Sequence, residues 1–276
     1  MPNVLVLANE TIGGAKLLDA VRERAGRSDD VRFHVVVPQT RPRHGNVIYD
    51  DVVRDSAQVR VDLARVWMRD NGIASSGEVG DPDPYNAAID AIASEGIDEL
   101  IVSTLPAASS GWLRRDLPEK LRQDTGLRVE HVVVDLASEG LPFGVTLVVA
   151  NVTVSSDELS RRLKELAAEG PRRFIAVVPQ EHVHGAAAAQ ARDRLDKLLA
   201  SLREDGIVAA GMIGDPDPYT ATMNAVQYFH ISEIVVSTLP AGSSKWMADR
   251  LVDRIEAATN KPVEHIESSP VGAEAA

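Results

Sequence analysis

Gly80-Asp81-Pro82-Asp83-Pro84-Tyr85, then Glu99-Leu100-Ile101-Val102-Ser103-Thr104-Leu105-Pro106, then Ser109-Ser110 and Trp112, is text that this chain writes twice. It returns as Gly214-Asp215-Pro216-Asp217-Pro218-Tyr219, Glu233-Ile234-Val235-Val236-Ser237-Thr238-Leu239-Pro240, Ser243-Ser244 and Trp246, at a constant offset of 134. Val129-Glu130-His131 and Val263-Glu264-His265 keep that register. A self-match of this length marks a tandem duplication, so 276 residues divide into two domains, each large enough for its own core.

Working outward from the repeat, Leu100-Ile101-Val102 is a short apolar run of the kind a strand buried on both faces requires. Before it, Gly80 breaks a weak strand over 73–79, and Asp83-Pro84 starts a helix. The Asp accepts from first-turn N–H groups, and Pro sits where no N–H is missed. Ala87, Ala88, Ala91 and Ile92 form its apolar stripe, closed by Gly96. Further upstream, Val4 to Ala8 reads as a strand, Leu17, Leu18, Val21 and Ala25 as a helix, and Val31 to Val37 as a second strand. A loop from Gln39 to Asp55 carries Arg41, Arg43 and His44. A helix with Val59, Leu63, Val66 and Trp67 then ends at Asn71-Gly72.

Downstream lies a loop from Ser103 to Gly111. Asp116 and Glu119 follow at capping-box spacing, and Val129 to Val134 is a fifth strand. The alternation predicts an α/β fold: two tandem, doubly wound, five-stranded parallel sheets with helices on both faces. The second copy reruns the plan with a strand from Val145 to Ala150, a capping pair Ser155 and Glu158, a helix from Leu159 to Ala168 and a strand from Phe174 to Val178. Its second helix holds Leu195, Leu198, Leu199 and Leu202 and stops at Asp205-Gly206. Domain one is expected over 1–137 and domain two over 143–267, with a linker at 135–142 and a frayed tail at 268–276.

Composition narrows the function. Cysteine is absent, which excludes disulfides, thiolate catalysis and thiolate-held metals and fits a reducing cytoplasm. The net charge of −12 argues against a nucleic-acid phosphate track. Met1 to Ala8 reads as a strand, not a signal peptide, and no apolar run approaches the length of a membrane helix.

Five parallel strands, a Gly-Asp-Pro opening the third helix and an apolar Ile-Val strand feeding a long loop resemble the universal stress protein family, here in tandem form. In that family's ATP-binding branch the fourth strand ends in G-x2-G-x9-G-[ST]. Laid from Ser103, this spacing falls on Pro106, Asp116 and Leu117; laid from Ser237, on Pro240, Arg250 and Leu251. Neither copy keeps a glycine there. Proline lacks a donor N–H, and Asp116 would face a triphosphate with like charge. Where the family tends to place an Asp after the first strand, Asn9 and Asn151 stand. The resemblance implies a stress-associated, non-catalytic binding or regulatory protein in the cytoplasm that needs no cofactor and does not hold ATP in the usual way. The alternative is ATP or AMP bound by Ser109-Ser110 and Ser243-Ser244 at a helix N-terminus.

The candidate ligand crevice comprises Asn9, Gly80, Ser103, Thr104, Ser109 and Ser110, with Asn151, Gly214, Ser237, Thr238, Ser243 and Ser244 in copy two. It lies where open α/β folds bind ligands, at the carboxyl edge of the sheet. The competing reading is hydroxyls satisfying local backbone. Asp81, Asp83, Asp215 and Asp217 read as turn and cap chemistry before metal binding. His182 and His184 with Glu181 resemble a metal cluster that copy one answers only with His44. Trp112 and Trp246 read as packing residues. No nucleophile elbow, dinucleotide fingerprint or phosphate loop appears, so an enzyme is the third reading. Partners expected are a small molecule or nucleotide and a protein. The resemblance further implies pairing of the two copies through Val129 to Val134 and Pro262 to Ile266, the alternative being edge strands with solvated side chains; a homodimer is a further possibility. Glu130 would then face His265 and Glu264 would face His131.

Overall fold

The computed structural model describes residues 2–28, 30–39, 50–113, 116–181, 187–240 and 242–269. The chain forms two compact units, Met1–Pro142 and Phe143–Ala276. Unit 1 runs β1 (Asn3–Leu7), α1 (Ala15–Ala25), β2 (Arg32–Pro38), α2 (Asp50–Asp70), β3 (Ser75–Gly80), α3 (Pro84–Glu95), β4 (Glu99–Thr104), α4 (Leu117–Thr125), β5 (Arg128–Val133) and α5 (Leu136–Glu139). Its sheet is parallel throughout, in the order β3-β2-β1-β4-β5.

Unit 2 runs β6 (Gly144–Val149), α6 (Asp157–Ala168), β7 (Arg172–Pro179), α7 (Ala187–Glu204), β8 (Ala209–Gly214), α8 (Pro218–Tyr228), β9 (Glu233–Thr238), α9 (Lys245–Ala248), α10 (Leu251–Thr259) and β10 (Val263–Glu267). Its parallel order is β10-β9-β6-β7-β8, the same arrangement read from the other edge. Two doubly wound α/β units are therefore present. In each, the first strand is central, and the order reverses between the first strand and the fourth.

Central strands need apolar side chains on both faces, and Val4 to Leu7 are at most 1 % exposed. Leu5, Leu7, Leu100 and Val102 pack under Ala87, Ala88 and Ala91 of α3 in one core cluster. In unit 2, Val148, Phe174 and Ala176 pack with Leu159 and Leu163 of α6 and Leu195 and Leu198 of α7. A staple between helices recurs: Lys120 lies over the Tyr85 ring, and Arg254 lies over the Tyr219 ring at the same offset of 134.

Several boundaries differ from the sequence expectation. Gly80 does not break its strand; it pairs with Pro38 as the last residue of β3. The helix expected after Asp55 already begins at Asp50, while Arg41, Arg43 and His44 lie outside the described residues. Ser103 and Thr104 are the end of β4 rather than loop. Asp116 is left-handed (φ 51°) and makes no side-chain cap, so the capping box does not form. At α6 the cap is Ser156, accepting from Leu159 N at 3.2 Å, one residue after the Ser155 expected there. The linker contains α5, capped by Asp135 through the amides of Ala137 and Ser138. Ser268 is no frayed residue: it is 1 % exposed, and its N–H donates to Thr238 O at 2.8 Å.

Candidate functional site

Reversal of strand order opens a crevice at the carboxyl ends of adjacent central strands, because the connections from those strands leave in opposite directions. In unit 1 those ends deliver Asn9 after β1 and Ser103 and Thr104 from β4; in unit 2 they deliver Asn151 and Ser237 with Thr238. All are buried except Asn151, which is partly so. The two first-strand ends share further text, Ala8-Asn9-x-Thr11 and Ala150-Asn151-x-Thr153. Those threonines, missing from the expected set, tie the loop to the fourth strand. Thr11 Oγ1 donates to Ser103 O at 3.4 Å, and Thr153 Oγ1 donates to Ser237 O at 3.1 Å.

Unit 2 closes its polar groups on one another. Ser237 Oγ donates to Thr153 Oγ1 at 2.9 Å, so the 3.0 Å contact with Ser268 Oγ is donated by Ser268. Thr238 gives its proton to Leu239 O at 2.8 Å and therefore accepts from His265 Nε2, also at 2.8 Å; that tautomer of His265 is protonated on Nε2. Arg194 of α7 donates to Asn151 Oδ1 at 2.5 Å and to Glu181 Oε1 at 2.8 Å. A small cavity of about 110 Å³ remains above this floor, touched by Asn151, Thr153, Thr238, Ser244, Lys245 and Trp246.

Among the described residues, unit 1 shows one of these bonds. Thr104 Oγ1 and His131 Nε2 are 2.8 Å apart. Burial of the ring, and then the Arg122 guanidinium, hold the His131 pKa below the ordinary imidazole value. Among the described residues, Asn9 Oδ1 and Ser103 Oγ are buried without a hydrogen-bond partner.

The serine loops are turns that spend their own amides. Pro106 O accepts from Ser109 N and Ser110 N, both at 2.8 Å, and Pro240 O accepts from Ser243 N at 2.8 Å and Ser244 N at 3.1 Å. Ser110 Oγ accepts from Leu113 N at 3.2 Å, and Ser244 caps the short α9. Beyond the loops, Asp116 and Arg250 share a left-handed backbone (φ 51° each), and the residues after them, Leu117 and Leu251, are 3 % and 1 % exposed. The backbone shape that usually calls for glycine is thus present in both copies, occupied by an acid in one and a base in the other.

The remaining candidates sort by place. Gly80 and Gly214 end the third strand of each unit, away from the strand reversal. A Cβ at Gly80 would lie 2.7 Å from Ala87 Cβ, and one at Gly214 would lie 2.6 Å from Ala221 Cβ. Asp81 Oδ1 accepts from Asp83 N at 2.7 Å and Asp215 Oδ1 from Asp217 N at 2.8 Å, while Asp83 and Asp217 cap α3 and α8. Among the described residues no group of three or more His, Asp and Glu side chains is placed to hold a metal ion; His182 and His184 lie outside them. Trp112 packs on the unit 1 core, whereas Trp246 borders the unit 2 cavity. Glu264, expected opposite His131, accepts from Arg162 within its own unit at 2.7 Å. A polar cluster that the sequence did not announce joins His34 Nδ1 to Ser76 Oγ (2.8 Å) and His34 Nε2 to Glu78 Oε1 (3.3 Å). It satisfies a buried imidazole of unit 1.

No family model matches this sequence, and no curated protein matches it. Among solved structures, a universal stress protein from Archaeoglobus fulgidus is 16 % identical, with 48 % of this chain and 100 % of that one covered and a TM-score of 0.37. A universal stress protein from Archaeoglobus fulgidus DSM 4304 is 14 % identical over 96 % of each chain, at a TM-score of 0.37. A functionally unknown protein from Pseudomonas aeruginosa PAO1 is 16 % identical over 97 % of this chain and 93 % of its own, at 0.33. No helix among the described residues is long and apolar enough to cross a membrane. Each unit has the five-stranded, doubly wound parallel architecture expected of a universal-stress-protein-like domain.

Proposed function

We propose that this chain is a non-catalytic, stress-associated binding or regulatory protein of the cytoplasm that does not hold ATP in the manner of the universal stress protein motif. One observation carries the reading. Both loops that would cradle phosphates have turned their amides inward onto Pro106 O and Pro240 O, and the motif's hydroxyl positions are the core residues Leu117 and Leu251. An anion needs N–H groups that point at it, and four of these are already committed. The 110 Å³ cavity of unit 2 is also well below the roughly 300–1,000 Å³ of pockets that enclose a drug-sized ligand.

A second reading is favoured by the same cavity. Ser243, Ser244 and Lys245 border it, so hydroxyls and an ammonium are available for the phosphate of AMP or ATP without the amides. Calorimetric titration with ATP and with AMP, with and without magnesium, decides between the two. The first reading expects no micromolar binding. Micromolar binding that disappears in Ser110→Asp plus Ser244→Asp overturns it, and turnover of a phosphoanhydride would instead bring back an enzyme.

A further inference from the structure

We infer that the cavity of unit 2 binds a short-chain monocarboxylate of acetate or propionate size, its carboxylate answered by Lys245 and its alkyl end lying against Val152 and Trp246. This names a ligand class for the binding reading above and rests on it. The space is about 110 Å³, and Val152, Leu239, Ser243, Ser244, Lys245 and Trp246 form its mouth and walls. A dry cavity of about 150 Å³ holds one benzene, so this one encloses roughly four or five non-hydrogen atoms. Propionate is of that size, whereas a nucleotide would leave most of itself outside.

The groups still able to bond select the charge. Those of the floor have answered one another: Thr238 holds His265 and Leu239 O, Ser237 holds Thr153 and Ser268, and Asn151 takes Arg194, whose charge Glu181 balances. Nearer the mouth, the Lys245 ammonium has no ion pair or hydrogen bond among the described residues. Ser244 Oγ accepts from Met247 N at 3.4 Å and keeps its own proton to donate. No carboxylate borders the cavity. An ammonium and a hydroxyl donor with no acid beside them favour an anion over a cation or a neutral molecule. The apolar side chains then select among anions. Val152 is 43 % exposed, the more open of the two large apolar side chains left on the surface among the described residues. With Leu239 and Trp246 it offers a surface that an alkyl chain covers and an inorganic oxyanion does not.

Unit 1 supplies the contrast. Ala8-Asn9-Glu10-Thr11 aligns with Ala150-Asn151-Val152-Thr153, and the offset of 134 aligns Gly111 with Lys245. Unit 1 thus carries an exposed carboxylate in the place of the valine and no ammonium in the place of the lysine. Both changes act against an anion. The serines and the tryptophan are common to the two copies, so the two differences carry the selectivity.

The test uses full-length protein labelled with 15N at its three tryptophans, the Trp246 indole N–H resonance being assigned with Trp246→Phe. Sodium propionate is titrated into the millimolar range at an ionic strength held constant with sodium chloride, with propionamide and sodium phosphate in parallel. Propionate is expected to move the Trp246 indole saturably, with half-saturation near about 1 mM, and to leave Trp112 in place. Lys245→Gln should weaken it at least tenfold, and Lys245→Arg should keep it. Val152→Glu with Lys245→Gly, which gives unit 2 the residues of unit 1 at two exposed positions, should abolish it. A Trp246 resonance that is indifferent to propionate, or drifts without saturating, overturns the inference. So does an equal response to propionamide, which would make the charge irrelevant, or to phosphate, which would make the alkyl end irrelevant, or an undiminished response in Lys245→Gln. Nucleotides are absent from this titration. Silence here with silence in the calorimeter defeats the carboxylate site alone, whereas nucleotide binding in the calorimeter defeats the reading of function.

Discussion

Replacing Gly80 by alanine asks whether the repeated Gly-Asp-Pro text serves packing or a ligand. The added Cβ would lie 2.7 Å from Ala87 Cβ and 2.7 Å from Val36 Cγ1. Carbon atoms rest about 3.5–4.0 Å apart, so α3 must lift from the sheet by roughly 1 Å. Neither neighbour has a flexible end to swing aside, and both are core residues at 2 % and 0 % exposure. Overpacking of this kind costs about 1–3 kcal/mol. With a urea slope of about 1–3 kcal/mol per molar, the unit 1 midpoint should fall by about 1 M. Gly214→Ala should do the same to unit 2, where the distances are 2.6 Å to Ala221 Cβ and 2.7 Å to Val177 Cγ1. Gly96→Ala is the comparison: nothing lies within 4 Å and φ is +62°, so it pays only the left-handed backbone term of about 1–2 kcal/mol. Hydrogen exchange along a urea series, read by mass spectrometry on peptides from each unit, assigns the loss. A Gly80→Ala chain that opens at the same urea concentration as wild type would refute the packing account.

Other expectations follow from single contacts. Asp83→Ala removes the acceptor for Tyr85 N (2.9 Å) and Asn86 N (3.4 Å) and should cost unit 1 about 1 kcal/mol in the same urea experiment. Asp116→Gly and Arg250→Gly relieve a left-handed non-glycine residue; a raised midpoint of the affected unit is expected, and a lowered one counts against strain there. His131 binds its proton more weakly folded than unfolded, where its pKa is about 6.5. Its contribution is therefore present above that value and lost as the pH falls below it, and His131→Gln should flatten the acid side of the unit 1 stability profile between about pH 5 and 7. An unchanged slope in thermal melts across that range would show that another group titrates.

The fold was legible because two independent signals agreed. Apolar runs too short for helices marked strands such as Val4 to Leu7, and the duplicated text confirmed the elements from Gly80 onward by their twins. Boundaries were less legible where a side chain chose between two local partners. Ser155 and Ser156 are equally good caps on paper, and only the path of the chain presents Ser156 Oγ to Leu159 N. Asp116 at capping-box spacing reads as a cap, but its backbone is left-handed and its side chain makes no cap bond. For the site, Asn9, Ser103 and their twins were visible as a matched set. What pairs with the unit 2 members was not. Arg194 comes from a helix some forty residues away, and Ser268, whose hydroxyl meets Ser237 Oγ, lies in a stretch that reads as a frayed tail.

The chain's first strand sits in the middle of its sheet, and this has a consequence for synthesis. β1 bonds β2 on one side and, from Val4 to Glu99 onward, β4 on the other. As the polypeptide leaves the ribosome, β1 must wait for roughly a hundred residues before its second flank is covered. Until then an apolar strand edge is bare during translation. Unit 2 repeats the delay, with Thr146 waiting for Glu233. Each unit thus covers the second side of its central strand late, and a holdase acting on the nascent chain would meet that strand in the interval.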